Sequence, residues 1–238
     1  MRSLVFAALL PLAACGNVFD SDGPGIAPQG TGSTRTFAAA GFTEVEAAGP
    51  DDVTVTVGPA FAVRAEGDPA VLDKLRVEVE DGELHVRRRR GMDTGSAKAR
   101  IFVSLPAIRG AVLAGSGNMS IDRVTGDSFE GAIAGSGALR LAALSLDKAE
   151  LSIAGSGDLA AAGTVRSLEI NIAGSGDVAA PALKAARAEV SIAGSGGVKL
   201  AVDGPAEVNI MGSGDVDLGP NARCETNKMG SGSVRCGA

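Results

Sequence analysis

A chain of 238 residues with a formal charge of −6 and 45% hydrophobic residues can bury one large core, and its acidic balance argues against a nucleic-acid partner. Trp and Tyr are absent and Phe occurs only 7 times, so the interior must be filled by Ala, Val, Leu and Ile, which suit a narrow cross-section repeated many times. Glycine, at 34 residues, is about twice as frequent as usual without the every-third-residue period of collagen.

Residues 1–14 read as an export signal. Arg2 supplies positive charge, residues 4–12 form a short apolar stretch, and Leu12-Ala13-Ala14 precede Cys15. Such a stretch is too short to span a bilayer. Small residues directly before a Cys resemble the lipobox of bacterial lipoproteins. The resemblance implies cleavage before Cys15, acylation of its thiol and a membrane partner reached through the lipid anchor. Gly16 stands where an Asp would favour the inner membrane, which implies the outer membrane instead. Residues 15–35, the lipidated Cys and a stretch rich in Gly, Pro, Ser and Asp, read as a flexible tether.

Residues 36–105 are expected to form an N-terminal cap and irregular opening coils. Val53-Thr54-Val55-Thr56-Val57 alternates as a strand does. Asp68 before Pro69 predicts the start of a short helix. Val77 and Val79 face Leu84 and Val86 across Asp81-Gly82, a hairpin signal. His85, the single His, is expected to point outward beside Glu83 and Arg87. With no second His available, the sequence offers no His-based metal centre. Arg87, Arg88, Arg89 and Arg90 form a basic run, read as the solvated end of the hairpin or as a contact for lipid phosphates or anionic glycans.

Residues 106–238 repeat. Gly-Ser-Gly places glycine pairs at Gly115 and Gly117, Gly135 and Gly137, Gly155 and Gly157, Gly174 and Gly176, Gly194 and Gly196, Gly212 and Gly214, and Gly230 and Gly232, in steps of 18–20 residues. Polar and apolar residues alternate on both sides of each triplet, as in Glu189-Val190-Ser191-Ile192 and Glu207-Val208-Asn209-Ile210. The pattern predicts an all-β fold, a single-stranded parallel β-helix with about 18–20 residues per coil, right-handed by analogy with β-helices generally. Glycine is expected at each corner because the chain turns sharply there and neighbouring coils leave no room for a Cβ. The serines between them are expected to stack as a ladder of hydroxyls.

Stacking would also align Glu130, Glu150, Glu169, Glu189, Glu207 and Glu225 in one outer column. Identical environments do not make an acid–base pair, so the column reads as a solvated ladder and a possible interaction surface. Asp158, Asp177 and Asp215 follow their triplets directly and read as turn residues bonded to their own backbone. Cys224 and Cys236 flank the last triplet on inward columns. In an exported protein a disulfide stapling the final coil is expected over two buried thiols. No catalytic residue, cofactor or metal site is expected.

Gly41-Phe42-Thr43-Glu44-Val45, Val53-Thr54-Val55, Val103-Ser104-Leu105-Pro106 and the recurrent Ala-Gly-Ser-Gly units resemble the bacterial head-GIN domain family of auto-transporter-adhesin-type proteins. The resemblance covers residues 36–238. It implies a β-solenoid on an exported, often lipid-anchored protein, with no established activity and no catalytic residues. The expected function is a non-enzymatic envelope lipoprotein whose solenoid surface contacts glycan or protein. The alternative is a carbohydrate-active enzyme, a polysaccharide lyase or hydrolase, which would need loops converging over a groove; repeats of nearly equal length leave little room for them. A purely structural envelope element is a third reading. Mass spectrometry of the mature protein is expected to find an acylated Cys15 as its first residue; an unmodified N-terminus elsewhere would rule out the anchor.

Overall fold

The computed structural model describes residues 25–89 and 97–237. It is nearly all β, a solenoid of about six turns of stacked parallel coils. The opening part contains β1 (Thr34–Phe37), β2 (Glu44–Gly49), β3 (Asp52–Val57), β4 (Ala62–Glu66), α1 (Pro69–Leu72), β5 (Leu75–Glu80), β6 (Glu83–Arg88) and β7 (Arg100–Leu105). The regular coils follow as β8 (Gly110–Gly115), β9 (Asn118–Ile121), β10 (Val124–Gly135), β11 (Ala138–Gly155), β12 (Asp158–Gly174) and β13 (Asp177–Gly194). The stack closes with β14 (Gly197–Val202), β15 (Pro205–Gly212), β16 (Asp215–Asp217), β17 (Arg223–Gly230) and β18 (Val234–Arg235).

Each regular coil lies parallel on the one before, with equivalent residues in register. Gly135 pairs with Gly155, Gly155 with Gly174, and Gly174 with Gly194. Inward positions therefore form columns. Leu113, Ile133, Ile153, Ile172, Ile192 and Ile210 make one column, and every member is buried. Met119, Leu139, Leu159, Val178, Val198 and Val216 make another beyond the corner. Burying one such side chain stabilises the fold by about 1.5–3 kcal/mol. The narrow interior takes a large side chain only where a neighbour shrinks. Phe129 stands in the column of Ala149, Leu168 and Ala188, and a Cβ on Gly131 would come within 3.1 Å of its ring.

The corners show why two of their three residues must be glycine. Gly115 adopts φ +130°, and a Cβ there would stand 2.6 Å from the carbonyl oxygen of Gly49 in the coil below. The second glycine has no unusual φ but is equally confined: on Gly157 a Cβ would meet the Gly137 oxygen at 2.5 Å and the Ile133 side chain at 2.7 Å. The intervening serines are exposed. A hydroxyl–hydroxyl bond joins Ser213 to Ser231 at 3.0 Å, but the repeating corner bond is main-chain. Ser136, Ser156, Ser175, Ser195, Ser213 and Ser231 each donate a backbone N–H to a glycine oxygen one coil below, at 2.8–3.0 Å. The expected hydroxyl ladder thus gives way to a ladder of amides, because parallel stacking points the N–H, not the side chain, along the axis.

The N-terminal end is more ordered than the sequence suggests. β2 and β3 form a full coil level, paired with β8 and β9. On their other side lie β6 and β7, which come later in the chain. The stack is thus out of sequential order here, and the sheet runs unbroken across the 105/106 boundary. β5 and β6 form the expected hairpin, with Val77 opposite Val86 and Val79 opposite Leu84. The Asp68 side chain accepts from the Ala70 N–H and caps α1. The stretch read as tether docks from Gly25 onward. Ile26 N–H donates to the Val77 oxygen at 2.8 Å. Thr34–Phe37 is a strand against β4, and Arg35 is buried with its guanidinium 2.7 Å from Asp73. The small and polar composition concealed this, because strand pairing there uses backbone groups. Residues 1–24, Cys15 among them, lie outside the described residues.

At the far end Cys224 and Cys236 are joined by a disulfide, with Cα atoms 6.0 Å apart. The last coil places Thr226 and Lys228 on the columns of Val208 and Ile210, and the Lys228 ammonium donates to the Gly232 oxygen at 2.7 Å. A polar inward residue suits a level with no further coil beyond it among the described residues.

The two glycine roles can be separated. Gly157→Ala, a clash without φ strain, is expected to cost on the order of 3 kcal/mol. Gly126→Ala, at φ +138° with nothing within 4 Å, is expected to cost about 1–2 kcal/mol. Urea denaturation of both variants reads the difference, and the reverse order would contradict the close-stacking account.

Candidate functional site

The face that precedes the corner carries three outward columns. In the first, Glu130, Glu150, Glu169, Glu189, Glu207 and Glu225 stand in register. The second holds Ala132, Ser152, Asn171, Ser191, Asn209 and Asn227, and the third holds Ala134, Ala154, Ala173, Ala193, Met211 and Met229. The structure thus brings Glu150, Glu169, Glu189 and Glu207 together. Lys148 offsets their repulsion, its ammonium 3.6 Å from both Glu150 and Glu169. Neighbouring amides add hydrogen bonds: Asn171 donates to Glu169 and Asn209 to Glu207, each at 3.2 Å. Arg187 donates to the Ser167 hydroxyl at 2.9 Å. Glu169, Glu189, Glu207 and Glu225 line a shallow groove of about 400 Å³ with Arg187 and Arg223 along it.

The ladder extends beyond its sequence-predicted members. Glu44 and Glu83 continue the column through β2 and β6, interrupted only by Gly110, over which the Glu44 side chain lies. The second column likewise continues through Glu46 and His85. A signal for both was present: Glu44-Val45-Glu46 and Glu83-Leu84-His85 share the Glu-aliphatic-polar pattern of Glu207-Val208-Asn209. The missing triplet after them hid the match.

His85 faces outward beside Glu83 as expected but is half-buried, and Glu46 joins it from β2. Its Nδ1 lies 2.6 Å from a Glu46 carboxylate oxygen and its Nε2 lies 3.7 Å from Glu83. Burial raises the Glu83 carboxyl above its ordinary value, and the Glu46 and Glu44 charges push the same way, against the pull of His85.

Within the basic run Arg87 and Arg88 are held in ion pairs, which corrects their reading as solvated or lipid-contacting groups. Arg87 lies 3.0 Å from Glu78. Burial alone would raise the Glu78 carboxyl, but Arg76 and Arg87 outweigh it and hold it low. Arg88 has the inward parity of Leu84 and Val86 and makes a two-pronged contact with Asp51, its Nε 2.8 Å from one oxygen. The hydrogen bond to Asp51 raises the Arg88 pKa further. Asp51 is buried and also accepts the Ala99 N–H at 2.7 Å. It takes the place of the second corner glycine in the β2–β3 level, and its carboxylate accepts from Arg88 and from the Ala99 N–H of the β6–β7 level stacked on it. Arg89 is exposed, and Arg90 lies outside the described residues.

For Asp177 and Asp215 the turn reading is corrected, and Asp52 behaves as they do. Asp52, Asp177 and Asp215 accept N–H groups of the next coil, from Asn118 at 3.1 Å, Gly197 at 2.6 Å and Ser233 at 2.9 Å. These bonds, rather than bonds to their own turn, staple coil to coil. The Ser233 side-chain and backbone bonds hold the Asp215 carboxyl low.

A single-chain parallel solenoid with uniform coils, a filled interior and a flat polar face is the architecture of a repeat surface. The chain belongs to the family "Putative auto-transporter adhesin, head GIN domain", whose pattern matches residues 41–222. None of the curated proteins matches it. A crystal structure of a putative adhesin from Bacteroides fragilis superposes with a TM-score of 0.78 at 20% identity, covering 85% of this chain and 95% of that one. A putative lipid binding protein from Parabacteroides distasonis gives 0.69 at 25% identity, covering 88% and 96%. A putative adhesin from the same species gives 0.65 at 18% identity, covering 86% and 96%. The chain thus has an adhesin-like domain, and no helix among the described residues is long and apolar enough to cross a membrane.

Asp51→Ala is expected to cost about 3–5 kcal/mol, because it removes the carboxylate facing the partly buried Arg88 guanidinium and leaves the buried Ala99 N–H without its acceptor. Equilibrium denaturation measures this, and a loss below about 1 kcal/mol, the range of an exposed pair, would show that the contact is a surface one.

Proposed function

We propose that this protein is a lipid-anchored, non-enzymatic adhesin-like component of the outer membrane, and that it contacts an extended glycan or envelope protein through its glutamate face. One observation carries the reading: six glutamates stand in register on one parallel sheet, beside a column that is serine or asparagine from Ser152 onward. Coils spaced at about 4.8 Å present the same carboxylate and amide groups again and again. A chain molecule with its own repeat can engage many such groups at once, so weak individual contacts add. The shallow groove beside Arg187 and Arg223 offers both charge signs to such a ligand. The ladder gives its glutamates like surroundings, whereas acid–base catalysis needs two carboxyls held differently. The lipobox resemblance at Cys15 supplies the anchor and Gly16 the outer-membrane address. The family and its solved neighbours, named as adhesins or a lipid-binding protein, support an envelope role.

The test uses the purified protein on a sensor surface against envelope glycans and isolated envelope proteins, with product release followed in parallel. Saturable binding that falls at least tenfold in the combined Glu169→Gln, Glu189→Gln and Glu207→Gln variant is expected, with no turnover. Binding indifferent to the three substitutions would remove the glutamate face from the proposal. Turnover abolished by one acid substitution would reverse the non-enzymatic reading.

A further inference from the structure

The N-terminal end of the same face holds a group of side chains that the rest of the ladder lacks. Glu46, Glu83 and His85 each place a ligand atom within 4.8 Å of the others. Strand register builds this group. Glu46 on β2 lies directly beside His85 on β6, and Glu44 lies beside Glu83. Glu83 and His85, two residues apart on β6, share one side of the sheet. All three are partly buried, with side-chain exposures of 24% for His85, 11% for Glu46 and 28% for Glu83, so their geometry is held by packing.

The two ring nitrogens meet different distances. Nδ1 is in hydrogen-bond contact with Glu46 at 2.6 Å, whereas Nε2 and the Glu83 oxygen stand 3.7 Å apart. The second distance is too long for a hydrogen bond. It suits two ligands of one ion: atoms each ~2.1 Å from a common metal and 3.7 Å apart subtend ~125° at it, and a tetrahedral pair stands ~3.4 Å apart. Glu46 on Nδ1 meanwhile occupies the position of the carboxylate that, in metal–histidine sites, fixes the tautomer and aims the other nitrogen at the ion.

We propose that His85 Nε2 and Glu83 bind a divalent first-row transition ion, Zn²⁺ being the probe, with Glu46 as the positioning residue and water completing the coordination. Imidazole nitrogen with carboxylate oxygen selects such an ion over calcium or magnesium, which prefer all-oxygen sets. The carboxylates of Glu44, Glu46 and Glu83 leave the patch acidic, and a bound cation neutralises part of that charge. Two protein ligands make the site weak and exchangeable, suited to an ion taken up from the surroundings.

Zn²⁺ is titrated into the purified full-length protein, free of any histidine tag, by calorimetry and by ¹⁵N–¹H spectra of the imidazole. The expected result is one saturable site, with the metal-dependent shift on Nε2 and the proton retained on Nδ1. Glu83→Gln and His85→Gln are expected to abolish this site, and Glu46→Gln to weaken it by about 10–100-fold. No Zn²⁺-dependent change at the imidazole overturns the proposal, as does binding that persists in His85→Gln. A Glu46→Gln variant that binds as tightly as the parent removes the positioning role. The imidazole spectra of the unsubstituted protein decide the matter even if a variant fails to fold. Glycan or protein binding at the glutamate face is measured separately in chelator, so loss of one result leaves the other standing.

Discussion

The close approach of one corner to the next governs this molecule. A glycine carbonyl lies where the following coil's Cβ would be, as Gly49 does under Gly115 and Gly137 under Gly157. That contact leaves one freedom per corner, the outward middle residue. It is Ser in the regular coils and Pro50 in the β2–β3 level, both compatible because the position faces water. Since the corner fixes the register of each coil on the last, it fixes every column. The glutamate ladder is therefore a consequence of backbone packing as much as of side-chain chemistry.

Regularity explains what could be read from the chain alone. Seven triplets and the alternation around them were enough to place the corners, the inward columns and the regular glutamates, because each repeat reports the same local rule. The opening levels did not announce themselves, for a topological reason. β6 and β7 lie outside β2 and β3 although they follow them in sequence, and periodicity carries no sign of that inversion. The ion pair of Arg88 with Asp51 and the contact of His85 with Glu46 both cross this inverted junction, over 37 and 39 residues. Read locally, the arginine run was a solvated patch and His85 a lone histidine. Asp177 and Asp215 were misassigned more narrowly: their type and position suggested a bond to the local turn, but parallel stacking presents the next coil's N–H group at 2.6 and 2.9 Å.

The two ends solve the open-edge problem by different means. At the start, later strands fold back over the first coil, and the segment at Ile26 covers β5 through main-chain hydrogen bonding. At the finish no strand among the described residues returns. The last coil substitutes Thr226 and Lys228 for aliphatic residues and ties itself with the Cys224–Cys236 disulfide. An apolar column continued to the final level would expose its last member to water, whereas a lysine there reaches a backbone oxygen and stays solvated.

Because the interior is held to small aliphatic residues and the corners to glycine, variation is confined to the outward columns, and there it is graded along the axis. Near the N-terminal end the face mixes Glu44, Glu46, Glu83, His85 and Arg87. Its middle is glutamate with serine or asparagine and alanine. At the C-terminal end Met211 and Met229 replace alanine and are 65% and 75% exposed. One backbone rule therefore supports three chemically distinct zones on one continuous sheet. A ligand long enough to span several coils would meet them in a fixed order, so the face has a polarity along its length. The described chain begins at Gly25, beside Arg76 and Glu78 on β5, so the mixed zone lies at the end where the described chain enters the stack, and the glutamate and methionine zones lie successively further along it.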